Sequence, residues 1–399
     1  MNKNAIIIIF VAVIGVIIIS SCETKEVQNE KEIKFEPGWN WTIISESEGI
    51  PRMAMDSQGL PQMVYIEADH RYPPDSGYTV MWHVGSKGDE WRFSKLDKGW
   101  YLTQPSVLMD EQDKMHIIYI KRINNTLNDD AEILYGNYTK EKWHDEKVDM
   151  NDGMYMETNT AIAQGPDGVI HLAYLSGYRF ENSRLVIDVK HATYNSGEWV
   201  EEIVAEDVAG KKIGMAIDQN GYLYFVYVRN TEDYCNDNVY LSSNRTGLMV
   251  EEKEFKGATD PDVKLDQNNI IHVSYMGNVN NKGCHYYVIY YTNKTEEWEG
   301  INLNNEDNPL CLEKVNIEVN EKDGVFIVFS AARTEDNTPF GLFYSNITSK
   351  GWNIKKISSN QVFDDYSSAI DAEGNIHVTF VTYVGEDKSY YIYANNRPK

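Results

Sequence analysis

Four cysteines in 399 residues are too few to staple a disulfide scaffold. Basic residues are also scarce, with 37 Lys and Arg against 61 Asp and Glu, for a formal charge of −24. That deficit excludes general nucleic-acid or anionic-lipid binding, since both need a net basic footprint. No His-Cys cluster has zinc-ligand spacing, and no loop carries an EF-hand pattern. No metal site or cofactor is therefore expected, a structural calcium ion in an Asp-rich loop excepted. What the chain does hold is 25% charged residues and 12% aromatics, a mixture that excludes disorder. The rings are weighted toward polar tips, 27 Tyr and 9 Trp against 12 Phe. Such rings suit strands and also the faces of sugars.

The first residues read as an address. Lys3 precedes an unbroken apolar run from Ala5 to Ile19, followed by Ser20, Ser21 and Cys22. The run is short for a spanning helix and right for a signal peptide. Small residues before the cysteine resemble the lipobox of bacterial lipoproteins, in which Cys22 would be acylated and become the mature N-terminus. The alternative is an uncleaved N-terminal anchor. Either way the remainder is expected outside the cytoplasmic membrane, in the cell envelope and lipid-anchored at the outer membrane, facing the periplasm or the cell surface. Residues 22–38 are polar and charged and read as a flexible tether. Loss of residues 1–21 would leave about −25, a sign that disfavours lying flat on anionic lipid.

From residue 39 to 399 one unit recurs seven times, Asp-x-x-Gly-x-x-His-Val-x-Tyr and its variants. Its fourth positions fall at 59, 113, 168, 221, 269, 324 and 374, a period near fifty. Asp and Gly supply the turn, and the alternating run behind it is a half-buried strand. A strand of small residues precedes each turn, as in Pro51–Met55 and Ile213–Ile217. An aromatic third strand follows, and then a fourth that opens on Trp91, Trp143, Trp199, Trp298 or Trp352, with Leu248 in their place once. Four short strands per repeat, seven times over, predict an all-β seven-bladed β-propeller with antiparallel blades. The folded part begins with a lone fourth strand at Trp41 and ends on a third strand at Tyr390–Asn395. The N-terminal strand should therefore complete the last blade and leave no open edge.

These repeats resemble the BNR-like repeats of the sialidase-like propeller superfamily over about residues 39–397. That resemblance implies sialidases, glycan-binding propellers and lyases of uronate polymers such as ulvan as relatives. The turns here are one residue longer than a sialidase Asp box and end in Tyr or Phe, and Ile50-Pro51-Arg52 has a different order from the Arg-Ile-Pro near sialidase N-termini. A sialidase-type hydrolase is accordingly the lesser alternative.

Four histidines, His116, His171, His272 and His377, share one repeat position, which elsewhere holds Gln62, Tyr224 and Ile327. A slot that accepts Ile reads as packing. The loops opposite the uniform turns are long and variable, and function tends to sit on such a face. Just past the second strand this face gains Arg71, Arg122, Arg179, Arg229 and Arg333, beside Trp100 and Tyr101. Arginine forks recognise carboxylate or sulfate, and rings stack on sugars; ordinary pairing with nearby Asp and Glu is the competing reading. A monomeric, membrane-tethered propeller that binds or processes an anionic polysaccharide is expected. If catalytic, it would act by β-elimination, with Tyr178, Tyr383 and His70 exchanging protons. A hydrolase would need two placed carboxylates. A non-catalytic lectin or protein-docking propeller is the alternative. Arg52, Lys212, Asp260, Asp262, Lys264 and Glu318, on first strands, should approach the axis. Cys235 and Cys284 lie in equivalent loops of adjacent blades, either bonded or as free thiols.

Overall fold

A computed structural model describes residues 33–398 except 47–48, 50, 70, 72–76, 88–89, 126–129, 140–141, 152–159, 182–183, 196, 230–236, 278–286, 296, 304–309, 321, 323, 334–338, 349–350, 360–361 and 385–387. Cys22, His70, Cys235 and Cys284 lie outside the described residues.

The seven repeats fold into seven four-stranded antiparallel blades, the expected all-β propeller. Blade 1 holds β2 (Arg52–Met55), β3 (Pro61–Ala68), β4 (Tyr78–Lys87) and the start of β5 (Glu90–Met109). The end of β5 opens blade 2, with β6 (Met115–Arg122), β7 (Ala131–Thr139) and β8 (Lys142–Asn151). Blade 3 holds β9 (Thr160–Gln164), β10 (Ile170–Glu181), β11 (Arg184–Asn195) and the start of β12 (Glu198–Ile217). The rest of β12 joins β13 (Leu223–Arg229), β14 (Asn238–Ser243) and β15 (Val250–Phe255) as blade 4. Blade 5 is β16 (Ala258–Leu265), β17 (Ile271–Gly277), β18 (Tyr287–Thr292) and β19 (Glu299–Asn302). Blade 6 is β20 (Leu310–Val319), β21 (Val325–Arg333), β22 (Pro339–Thr348) and β23 (Gly351–Ser358). Blade 7 is β24 (Phe363–Ile370), β25 (Ile376–Val384) and β26 (Lys388–Asn395), closed by β1 (Asn40–Ser45).

The closing strand pairs as expected, Trp41 opposite Ala394 and Ile43 opposite Ile392. The indole that packs between blades is that of the half-buried Trp39, just before the strand. Trp41 is 44% exposed, whereas Trp39 packs edge-on to Tyr344 of blade 6, ring centroids 6.0 Å apart. Packing also begins before residue 39: Phe35 bridges Ser358, and Ile33 and Phe35 join the core between blades 6 and 7. The same interblade contact recurs at Trp91 on Tyr393, Trp199 on Tyr135 and Trp352 on Tyr290, at 5.1, 5.1 and 4.9 Å. Leu248, expected to substitute in blade 4, is 76% exposed and precedes its strand.

The turn residue explains itself in hydrogen bonds. One carboxylate oxygen of Asp110 accepts the Gln112 and Lys114 amides, and the other meets His116 Nε2 at 2.9 Å. His116 Nδ1 in turn meets the Tyr135 hydroxyl at 2.6 Å. The relay recurs at Asp371, His377 and Tyr393, and Gln62 and Tyr224 reach their own turn Asp in the same way. The histidine slot is thus a hydrogen-bonded staple between turn, second strand and third strand, more than packing alone. In blade 6 the turn starts at Asn320, whose side chain accepts the Lys322 and Gly324 amides. Phe326, opposite Glu318, therefore occupies the slot assigned to Ile327.

Adjacent turns are also tied. Asp113 and Asn269 hold the left-handed position taken by Gly in blades 1, 3, 4 and 7, at φ 58° and 60°. Their side chains accept the backbone amides of Ser57 and Gln219 in the preceding blade, so each strained conformation carries a compensating bond. Arg397 makes the corresponding joint at closure, from Nε to Asp371 and from Nη2 to the Gly59 carbonyl, both at 2.7 Å.

Candidate functional site

First strands run from the variable-loop face to the turn face, and their inward positions form layers around the axis. The middle layer comprises Arg52, Ser106, Ala161, Gly214, Asp262, Asn316 and Ser367, paired with equivalent residues of the second strands. The layer nearer the turns is mostly alanine (Ala54, Ala163, Ala216 and Ala369) with Leu108, Lys264 and Glu318. Above the alanines lies a polar cavity of about 180 Å³, lined among others by Arg52, Lys212, Asp262, Lys264, Lys314, Glu318 and Tyr366. Five of the six first-strand charges expected near the axis line it. The sixth, Asp260, stands 3.6 Å from Lys212 Nζ.

Lys314 is the residue that sequence reasoning missed. It stands in unbroken register with Asn316 and Glu318, after the bulge between Leu312 and Lys314, so alternation turns it inward, and the charges expected near the axis stopped short of it. Its ammonium donates to the Tyr366 carbonyl at 3.2 Å and lies 5.4 Å from the centre of that ring. Burial first, then Arg52 and Lys212, push it well below the ordinary lysine range, against the pull of Asp260 and Asp262. Glu318 is raised by burial against the opposing charge of Lys264.

The second polar region is the loop-face corner of blades 1 and 2. There the structure brings together Arg71, Trp100, Tyr101 and Arg122, four of the residues singled out from sequence. Tyr78 packs edge-on to Trp100 at 4.9 Å. Tyr101 adopts φ 44°, donates its amide to the Gly77 carbonyl at 2.7 Å, and lays its ring where a β-carbon on residue 77 would sit. Only glycine fits beneath it. The Arg122 guanidinium stands over the Tyr101 ring at 4.3 Å and is 2% exposed. Asp69 accepts from Arg71 Nε at 2.8 Å and pairs with its Nη2, and these bonds hold the carboxyl well below the usual range.

The arginines share an end of the propeller, not a layer. Counted from the second-strand residues Val226, Ile118, Val328 and Ala173, Arg229 stands three positions on, Arg122 four, Arg333 five and Arg179 six. Alternation sends Arg122 and Arg229 to opposite faces of their blades. Arg229 pairs with Glu251 at 2.7 Å and lies over Tyr240 at 5.2 Å. The backbones of Tyr178 and Arg179 lie in β10, Arg333 in β21 and Tyr383 in β25, while their side chains lie outside the described residues. Among the described residues no group of three or more His, Cys, Asp or Glu is arranged to hold a metal ion.

No protein-family model matches the chain, and no curated protein sequence does. Solved structures do. The propeller domain of the Trilobed protease from Pyrococcus furiosus, described as having an open velcro topology, is 11% identical, with a TM-score of 0.53, covering 88% of this chain and 94% of its own. Polysaccharide lyase Uly1 is 10% identical, with a TM-score of 0.50 and coverage of 88% and 90%. At such identities the likeness is one of fold, and on that ground the chain takes its place among the β-propellers.

Proposed function

We propose that this protein is an envelope-anchored propeller that binds a glycan at the loop-face corner of blades 1 and 2. The observation that carries the reading is the Tyr78–Trp100 pair beside Tyr101, whose backbone is held in a left-handed conformation under a buried guanidinium. Strain of this kind persists where surrounding structure over-determines it, and it gathers at ligand sites. Rings with a polar edge match the mixed apolar and hydroxylated faces of sugars. A fold shared with a polysaccharide lyase supports the reading at the level of fold alone.

Two of the expected anion-recognising arginines are neutralised within their own blades, Arg71 by Asp69 and Arg229 by Glu251. At the blade 1–2 corner the Arg71–Asp69 pair therefore favours stacking over charge as the source of affinity. β-Elimination would rest on Tyr178, Tyr383 and His70, and the binding reading needs none of them. Anchorage is supported by the apolar run from Ala5 to Ile19 ahead of Ser20-Ser21-Cys22.

The test is binding to a panel of neutral, uronate, sulfated and sialylated glycans, with absorbance and reducing ends followed in parallel. At least one glycan should bind, and Trp100→Ala should weaken it about tenfold, equivalent to roughly 1.4 kcal/mol. Absorbance growing in the near ultraviolet would identify a lyase. Full binding by Trp100→Ala would remove this corner as the site.

A further inference from the structure

We infer that the outer rim of blades 6 and 7 is a lipid-contact surface, with Trp41 and Ile43 of β1 set against the head groups and upper chains of the bilayer. This rests on the anchorage proposed above, and it adds the side on which the propeller lies.

Charge singles out this sector. Each blade shows its fourth strand to solvent at the rim. In blades 1 to 5 that strand carries at least one Asp or Glu, and blade 3 has four of them between Glu198 and Glu206. The fourth strands of blades 6 and 7, β23 and β1, carry none. Neither do the second and third strands of these two blades, β21, β22, β25 and β26. In a chain with 61 Asp and Glu, these blades approach a membrane surface at the least electrostatic cost. β23 also brings Lys355, exposed, with its ammonium 5.8 Å from the centre of the Tyr344 ring. A long stem over an aromatic face, with a charged head in reach of phosphate, suits the water–lipid boundary.

The apolar groups match. Trp41 and Ile43 stand on one face of β1, both exposed, and Ile354 of β23 is exposed as well. The Trp41 indole is the outer layer of a stack. It lies 5.5 Å from Phe35 at an interplanar angle of 17°, and Phe35 lies 6.0 Å from buried Phe380. The ring is thereby propped at the rim. An apolar body with one N–H edge is the kind of ring that settles at membrane interfaces. Exposed Val200 and Ile203, on the rim of blade 3, differ because they stand among Glu198, Glu201 and Glu202. Lipid over them would bury carboxylates.

The chain also arrives here. Ile33 and Phe35 pack into the seam between blades 6 and 7, and the Lys34 carbonyl accepts the Ser359 amide at 3.2 Å and the Ser358 hydroxyl at 2.9 Å. The ten residues 23–32 between Cys22 and Ile33 can span no more than about 40 Å. Acylation of Cys22 would thus pin this rim close to the bilayer. A second copy has no such link, and it would bring a further −24. With the rim down, the propeller axis runs along the membrane plane.

The experiment reconstitutes the acylated protein into vesicles of phosphatidylethanolamine and phosphatidylglycerol, with or without bromine on the acyl chains. Bromine quenches indole emission on contact. Flotation of the vesicles reports anchorage, and quenching reports the side in contact. The protein should float, and brominated vesicles should dim its emission. Trp41→Phe should float equally and lose most of that dimming, whereas Trp199→Phe, on the rim of blade 3, should keep it. Ile43→Glu should float and lose dimming too, since it sets a carboxylate in the contact. Protein that does not float removes the anchorage and this inference with it. Protein that floats, with wild type and Trp41→Phe dimmed alike or not at all, overturns the inference and leaves the anchorage standing. Dimerisation that Ile43→Glu abolishes would assign the rim to a second copy and overturn it equally. Should Trp41→Phe fail to fold, undiminished dimming in Ile43→Glu decides against it.

Discussion

His83 and His171 are held down to about 4, His83 by burial alone and His171 by burial and then by the neighbouring His191. Folded, each binds fewer protons than the unfolded chain does, so stability rises with pH across that interval. Their contribution is fully present above the ordinary value of 6.5 and is lost as pH falls toward 4. Each is worth roughly 2 to 3 kcal/mol over the full interval. Urea midpoints measured through this range should fall with acidity, and His83→Gln should flatten the slope while keeping the bond to Gln62, now 2.9 Å. An equally steep slope in that variant would remove His83 from the account. The side chains of this staple were only half legible in sequence. Their recurrence showed, but alternation could not say that the ring nitrogens close a relay from Asp110 to Tyr135, because both partners come from other parts of the repeat.

At the scale of elements, the blades were legible because the turns are built locally, in five of the seven with one Asp or Asn satisfying amides two and four residues on. What sequence misplaced was phase: that of blade 6 slips because its turn opens at Asn320, whereas Lys314, in step with Asn316 and Glu318, was open to the same alternation and was passed over. The arginines past the second strand look like a repeat for a related reason: strand ends were counted where layers matter. The closing strand tests the architecture directly. Deleting residues 39–46 removes the β1 ladder, buried Ile44 and the Trp39 contact with Tyr344. The loss should be on the order of several kcal/mol, read as a lower melting temperature; unchanged melting would mean that the ring does not depend on its clasp.

For the whole molecule the question is where the propeller is held. Among the described residues no helix is long and apolar enough to cross a membrane, and the proposed anchorage rests on the apolar run from Ala5 to Ile19 and on Cys22. Cys22→Ala should move the protein from the membrane fraction to the soluble one; retention in membranes would point to an uncleaved anchor. The clasp also sets an order in time. Asn40 donates its side-chain amide to the carbonyl of Arg397, 357 positions away, so the first strand to be synthesised is the last to find its partner. Six blades can form as they emerge, while β1 waits through nearly the whole of synthesis. Closing so long a loop costs little more entropy than closing a shorter one, but it delays the step. Until then, both the outer edge of β26 and the unpaired N-terminal segment are open to the wrong neighbour.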